Sequence, residues 1–339
     1  MPTEPMKKIV VYPPLDARRE QLLRETPELP ELRFPADEAE AAREIADADG
    51  FFGKLTPPLL AAARRLRWVQ SPTASLEHYL FPALVEHPCE LTNMRGLFSD
   101  VIAEQVLGYI LCFTRHLHTY VRRQLERKWD PVGGEADRTG FVFGPGVETA
   151  IDRAHRRLAE CRVGIVGVGE IGREVARLCE RTGLRVSGVD VHPAPVPGST
   201  CEVRPFEELD ELLAESDFVV IAAPHTPRTA GLFDAARMSR MKRSAVLINI
   251  GRGAIVRLDD LTRALVDGTL GGAALDVYEV EPLPTDHPLW NLPNTILTPH
   301  IAGCAVEVPR RHFATLVENL RRFEAGQPLK NVVDKREWC

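Results

Sequence analysis

The sequence has no C-x-x-C pair, no excess of positive charge and no apolar run long enough to cross a bilayer. Each absence removes a class of function. The seven cysteines (89, 112, 161, 179, 201, 304 and 339) are scattered and odd in number. Neither a disulfide framework nor zinc-ligand spacing follows from such a pattern, so a reduced, cytoplasmic protein without a bound metal is expected. With 48 Asp and Glu against 42 Lys and Arg, the net charge is −6. Binding a phosphate backbone needs a basic face, so nucleic acid is not an expected partner. Near the N-terminus the apolar stretch Ile9-Val-Val-Tyr12 ends at Pro13. That is far too short for a signal h-region or a spanning helix, and no membrane partner is expected. His116 and His118 would point to different faces of one helix, which suits packed or solvated histidines better than a chelating pair.

What is present is ordinary globular composition, 44% hydrophobic and 27% charged, over 339 residues, a length that suggests two domains. In the first hundred residues short apolar runs (8–12, 32–34, 50–53 and 68–70) alternate with amphipathic ones (15–24, 36–45, 57–66 and 76–85). This alternation of strands and helices predicts a parallel sheet wrapped by helices. One long helix is predicted over 100–128, capped by Ser99 and Asp100, followed by a polar, glycine-rich excursion over 130–146. Further strands are predicted at 163–166, 185–189, weakly at Val203, and at 218–222, 245–249, 272–275 and 295–298. A last helix is predicted over 309–326.

The most informative stretch is Val163-Gly-Ile-Val-Gly-Val-Gly-Glu-Ile-Gly172. A buried strand runs into Gly167, Gly169 and Gly172 at G-x-G-x-x-G spacing, and a helix opens at Glu170. The first glycine allows the tight turn, the second the approach of a pyrophosphate, and the third close packing of helix on strand. The helix N-terminus faces the phosphate charge. Asp190, 18 residues after Gly172, ends the next strand, where a carboxylate can bond the ribose hydroxyls of NAD. It would repel the extra phosphate of NADP, and no arginine stands beside it at Val191 or His192. NAD is therefore the expected cofactor.

In an open parallel sheet, ligands bind outside the carboxyl ends of the strands. Past the later strands stand Pro224-His-Thr-Pro227, Gly251-Arg-Gly253, Asp276 and Pro299-His300. Arg252, between two glycines, could grip a carboxylate with its fork. His300 could exchange a proton near neutral pH. Glu281 could bond the other ring nitrogen, fixing its tautomer and favouring the imidazolium.

Asn249-Ile-Gly-Arg-Gly-Ala-Ile-Val256, Ala274-Leu-Asp-Val-Tyr-Glu-Val-Glu-Pro-Leu283 and Asn294-Thr-Ile-Leu-Thr-Pro-His-Ile-Ala-Gly303 resemble signatures of the D-isomer-specific 2-hydroxyacid dehydrogenase family. So do Ala223-Pro-His-Thr-Pro-Arg-Thr229 and Gly326-Gln-Pro-Leu-Lys-Asn-Val-Val-Asp334, and the likeness runs from about Ala48 onward. The resemblance implies two doubly wound α/β domains, a Rossmann NAD-binding domain (99–305) inserted in a flavodoxin-like substrate domain (1–98 with 306–339). It implies a catalytic trio of Arg252, Glu281 and His300, and a cleft that closes to exclude water. Cofactor contacts are then expected from Gly167, Gly169, Glu170, Ile171, Gly172, Asp190, Pro224, Thr226, Ile250 and Asp276, the last near the nicotinamide carboxamide. Substrate contacts are expected from Ser75, Leu76, Arg95 and Arg252. Family members are usually dimers paired through the cofactor domain, so a homodimer is expected.

Three features depart from the family pattern. Ser75 stands where many members have a glycine in a loop whose amides hold the substrate carboxylate. Arg95 offers a cation for a second anionic group, or a plain ion pair. The segment after Trp129 is longer than in compact members. The expected activity is NAD-dependent interconversion of a small D-2-hydroxy acid and its 2-oxo acid, as in a hydroxypyruvate or glyoxylate reductase. The alternatives are a phosphoglycerate dehydrogenase-like variant and an NAD-sensing protein like the C-terminal-binding co-repressors, which keep the same trio.

Overall fold

The computed structural model describes residues 6–135 and 146–336. They form two compact units, one drawn from Met1–Leu97 and Ala305–Cys339, the other from Phe98–Cys304.

In the first unit β1 (Lys8–Tyr12), β2 (Glu31–Arg33), β3 (Gly50–Gly53), β4 (Trp68–Gln70) and β5 (Glu90–Thr92) form one sheet. All pairs are parallel, in the order β2-β1-β3-β4-β5, the flavodoxin-like sequence of strands. Helices α1 (Ala17–Glu25), α2 (Glu38–Ile45), α3 (Pro57–Ala62) and α4 (Pro82–Glu86) connect them. Asp16, Asp37 and Thr56 cap the first three, each accepting a backbone N–H of the first turn. The core holds Val10, Ile45, Phe51 and Leu59 at zero exposure. Each such side chain contributes about 1.5–3 kcal/mol of burial. β5 escapes sequence reading because Glu-Leu-Thr has one apolar residue. Long-range contacts hold it instead: Thr92 bridges Val332, and Trp68 Nε1 donates to Thr92 Oγ1 at 2.9 Å.

The second unit contains β6 (Arg162–Val166), β7 (Arg185–Asp190), β8 (Glu202–Pro205), β9 (Phe218–Ile221), β10 (Val246–Asn249), β11 (Gly272–Leu275) and β12 (Thr295–Leu297). Their order, β12-β11-β10-β9-β6-β7-β8, is that of a Rossmann sheet with a seventh strand, every pair parallel. β9, β10 and β11 are buried at every position, as strands covered on both faces must be. Around them lie α5 (Ser99–Thr114), α6 (Leu117–Leu125), α7 (Ala150–Ala154), α8 (Glu170–Arg181), α9 (Leu209–Glu215), α10 (Ala235–Met238) and α11 (Leu258–Val266). α12 (Glu307–Glu324) returns to the first unit.

The single helix expected over 100–128 is two. His116 takes a left-handed backbone, φ +54°, and its Nε2 lies 2.9 Å from the Ala154 carbonyl oxygen, which turns the chain between α5 and α6. Ser99 and Asp100 do not cap α5, because Ser99 already lies in the first turn and Phe98 is the cap residue. His118 Nδ1 meets the Cys112 carbonyl at 3.0 Å, so each histidine is held by its own carbonyl. Most of the 130–146 excursion, including Phe141, Val142 and Phe143, lies outside the described residues. Among the described residues no cluster could hold a metal ion, and no helix is long and apolar enough to cross a membrane.

Candidate active site

The strand order of the second unit turns scattered sequence positions into one rim. Along the carboxyl edge follow His300 after β12, Asp276 after β11, Arg252 after β10, Pro224 and Thr226 after β9, Gly167 after β6, and Asp190 at the end of β7. At the usual strand spacing this row spans about 24 Å. β9 and β6 adjoin where the direction of winding reverses, the point at which doubly wound sheets open a crevice.

The glycine loop at that point fits a dinucleotide. Gly167 has φ +91°, and a Cβ there would lie 2.7 Å from the Ala223 backbone. At Gly172 a Cβ would lie 2.2 Å from the Gly167 carbonyl oxygen, whereas at Gly169 it would meet nothing within 4 Å. The second glycine therefore borders open space, where a pyrophosphate needs it. No side chain caps α8, whose cap residue is Gly169, so the first N–H groups at Glu170 and Ile171 are left for an anion. Asp190 is fixed at the adjacent strand end: its Oδ2 accepts from Val168 N at 2.7 Å and its Oδ1 from His192 N at 2.9 Å. Each oxygen retains a lone pair for a ribose hydroxyl. Pro224 and Thr226 lie in a turn closed by buried Thr229, whose Oγ1 accepts from Thr226 N and donates to the Pro224 carbonyl. Ile250 is buried beside it, donating from N to the Ile221 carbonyl at 3.2 Å.

Arg252 is presented by a turn braced from within. Asn249, only 1% exposed, donates from Nδ2 to the Arg252 carbonyl at 3.0 Å and accepts from Gly251 N at 3.1 Å. The Arg252 guanidinium donates to the Gly251 carbonyl at 2.7 Å. Asn249 therefore shapes the turn, a role that its place in the Asn249–Val256 motif does not by itself assign. An amide ending an otherwise apolar strand was the available signal.

His300 and Glu281 come together. His300 Nδ1 lies 2.8 Å from Glu281 Oε2, and Glu281 Oε1 accepts from Tyr278 N at 3.0 Å. An ionised carboxylate only accepts, so Nδ1 carries the proton and Nε2 of the neutral ring is the base. The imidazole is half exposed (51%), open to a reactant.

Asp276 is turned inward. Its carboxylate is buried at 2% exposure and turned into the histidine loop: Oδ1 accepts from Thr298 Oγ1 at 2.6 Å and Ile301 N at 2.9 Å, Oδ2 from Ala302 N at 2.9 Å. These bonds brace that loop.

The remaining expected residues belong to the first unit. Leu76 is buried in its core at 3% exposure, so only its backbone can face a ligand. Ser75 sits in a loop tied by Thr73 Oγ1 donating to the Ser75 carbonyl at 2.6 Å and Asn93 Nδ2 to the Ala74 carbonyl at 2.8 Å. Among the described residues, the N–H groups of Ala74, Ser75 and Leu76 donate to no protein atom. Arg95 donates from Nη2 to the Val332 carbonyl at 3.2 Å, an exposed structural bond at the outer edge of β5.

Comparison with known proteins agrees with the class that this fold and rim define. The family model described as "D-isomer specific 2-hydroxyacid dehydrogenase, NAD binding domain" matches residues 107–302. Glyoxylate/hydroxypyruvate reductase B of Pectobacterium atrosepticum is 34% identical over 305 residues, covering 89% of this chain and 89% of its own length. The human glyoxylate reductase/hydroxypyruvate reductase is 31% identical over 306 residues, covering 87% and 86%. Among solved structures, an NADPH-dependent glyoxylate/hydroxypyruvate reductase from Sinorhizobium meliloti, in complex with NADP and sulfate, superposes with a TM-score of 0.78. The identity is 28%, covering 98% of this chain and 100% of that one. This chain belongs to the D-isomer-specific 2-hydroxyacid dehydrogenase family. It is an oxidoreductase with a nicotinamide dinucleotide-binding domain.

Proposed function

We propose that this enzyme interconverts a small D-2-hydroxy acid and its 2-oxo acid, with NAD(H) as cofactor and Arg252, Glu281 and His300 as the working residues. The observation that carries the reading is the His300–Glu281 bond of 2.8 Å on the same rim as Arg252. When bound, the reduced cofactor supplies the hydride that C2 of the oxo acid takes up. His300 Nε2 then delivers the proton that the carbonyl oxygen needs, and in oxidation takes it back from the hydroxyl. Glu281 keeps Nδ1 as the donor and balances the imidazolium that carries the mobile proton. Arg252 pairs with the carboxylate and polarises the adjacent carbonyl, a charge-assisted contact that strengthens as the oxygen gains charge. Gly167, Gly169, Glu170, Ile171 and Gly172 would hold the pyrophosphate, Asp190 the adenosine ribose, and Pro224, Thr226 and Ile250 the flank of the cofactor. The three vacant amides at Ala74, Ser75 and Leu76 suit a carboxylate oxygen.

The proposed homodimer draws support from α6, where Leu117, Val121 and Leu125 form an exposed stripe at four-residue spacing, with Trp129 exposed beyond it. A cytoplasmic setting accords with the six described cysteines, all free.

Nucleotide oxidation by the purified chain against glyoxylate, hydroxypyruvate, pyruvate, 2-oxoglutarate and phenylpyruvate, with NADH and NADPH in parallel, tests the activity. Rapid turnover of one acid supports it. Tight NADH binding without turnover of any would favour a nucleotide sensor instead.

A further inference from the structure

We propose that Tyr109, on α5, is a positioning residue for this reaction: through Thr298 and Asp276 it fixes the loop backbone that presents His300. The inference rests on the assignment of His300 as the acid–base, but its geometry is independent of any substrate.

His300 has φ +52°, a left-handed conformation that a non-glycine residue holds only where its surroundings over-determine it. The surroundings here are mostly one aspartate. His300 N donates to the Asp276 carbonyl at 2.8 Å, Ile301 N to Oδ1 and Ala302 N to Oδ2, both at 2.9 Å. Three consecutive amides thus converge on Asp276. Its carboxylate is buried and satisfied by neutral donors, so each donor matters more than it would in water.

The fourth donor is Thr298, whose Oγ1 is 2.6 Å from Oδ1. An ionised carboxylate only accepts, so the single hydroxyl proton of Thr298 is committed to Asp276. Thr298 Oγ1 is also bonded to Tyr109 Oη, and in that bond Tyr109 must donate. The chain therefore has one direction: phenol to threonine to carboxylate. Tyr109 is 3% exposed. Burial raises its pKa and outweighs the lowering by the bonds to Thr298 and Gln105, with a smaller upward push from the Asp276 charge, so the phenol remains a donor at working pH. Tyr109 lies 189 residues from Thr298 in sequence. Tyr278 supports the same loop from another side, its hydroxyl donating to the Thr298 carbonyl at 3.0 Å.

Removing the phenol hydroxyl takes away the donor that Tyr109 gives to Thr298 Oγ1 and leaves the buried carboxylate less well compensated. The expectation is that His300 then samples orientations unsuited to proton transfer. Tyr109→Phe, Thr298→Val, Thr298→Ser and the double variant Tyr109→Phe/Thr298→Val test this. Tyr109→Phe should lower kcat about tenfold and displace the pH profile of kcat/KM, with KM for NADH unchanged within twofold. Thr298→Val should lose more, Thr298→Ser should retain wild-type kcat within about threefold, and the double variant should be no worse than Thr298→Val. The His300 Hε1 resonance should move in Tyr109→Phe, a readout that needs no turnover. An unchanged kcat, pH profile and resonance in Tyr109→Phe would overturn the proposal, as would a lowered Tm alone. If Tyr109→Phe does not fold, the contrast between Thr298→Val and Thr298→Ser decides. Should the wild type reduce no 2-oxo acid, the assigned reaction fails while the resonance still tests the positioning role.

Discussion

The two edges of the second unit's sheet treat their carboxylates differently. At the amino edge, buried Asp217 accepts from Arg162 N at 2.8 Å and pairs with Arg156 at 3.2 Å and Lys242 at 3.1 Å. At the carboxyl edge, Asp190 and Asp276 are held by backbone amides and a hydroxyl. One edge cancels its charge with protein cations. The other holds Asp190 and Asp276 with dipoles and keeps Arg252 half-buried at the rim. A carboxylate neutralised by cations is already satisfied and serves the fold. One held by dipoles keeps its field and its geometry for whatever binds beside it.

The sharpest way to break this contrast is at the histidine loop. His300→Ala should reduce kcat by about 10³-fold, the middle of the range for a lost acid–base group, while NADH affinity by fluorescence titration stays within about twofold. Retained turnover would remove His300 from the mechanism. Next in size is Asp276→Asn, which puts an amide donor among donors. A stability loss of about 2 kcal/mol in urea unfolding is expected, with kcat falling alongside. Loss of stability with normal kcat would make Asp276 a purely structural residue, like Asp217.

How legible each edge was follows from the range of the contacts that build it. The glycine loop could be read because its logic is local: strand, turn, helix start and Asp190 lie within 28 residues, and each constrains residue type. The α8 bounds and the β7 end stand where the pattern put them. The break at His116 was invisible because it depends on a carbonyl 38 residues away. β5 was missed for the same reason, its partners being β4 and a C-terminal residue. At the histidine loop, Glu281 and His300 are 19 residues apart and were paired from chemistry, yet the Asp276 bonds and Tyr109 contact arise only when β11, β12 and α5 pack together. Local rules find a phosphate cradle, whereas the bracing of a catalytic loop is a tertiary property.

Asp217 tests the amino edge through pH. Burial works against its charge, but the Arg162 amide, Arg156 and Lys242 outweigh it and hold the carboxyl below its ordinary value. A depressed folded-state pKa gives stability that is present above the unfolded value of about 3.9 and lost as pH falls through the folded one. Asp217→Asn should therefore cost about 1–2 kcal/mol at pH 7, with the Tm gap to wild type narrowing below pH 4. A gap independent of pH would mean that the pairs are not what Asp217 contributes.

Asp190 should give the smallest effect and the most specific. Its two oxygens hold Val168 N and His192 N, so the carboxylate is aimed by the loop it borders rather than by a cation. A ribose hydroxyl can donate to the lone pairs that remain, whereas a 2′-phosphate would meet uncompensated negative charge. Asp190→Ala removes both the acceptor and the repulsion. The ratio of kcat/KM for NADH over NADPH should fall about tenfold, through KM and with kcat nearly constant, which separates it from the His300 and Asp276 effects. An unchanged ratio in Asp190→Ala would mean that cofactor choice is made elsewhere on the rim, and that Asp190, like Asp217 at the opposite edge, chiefly holds backbone in place.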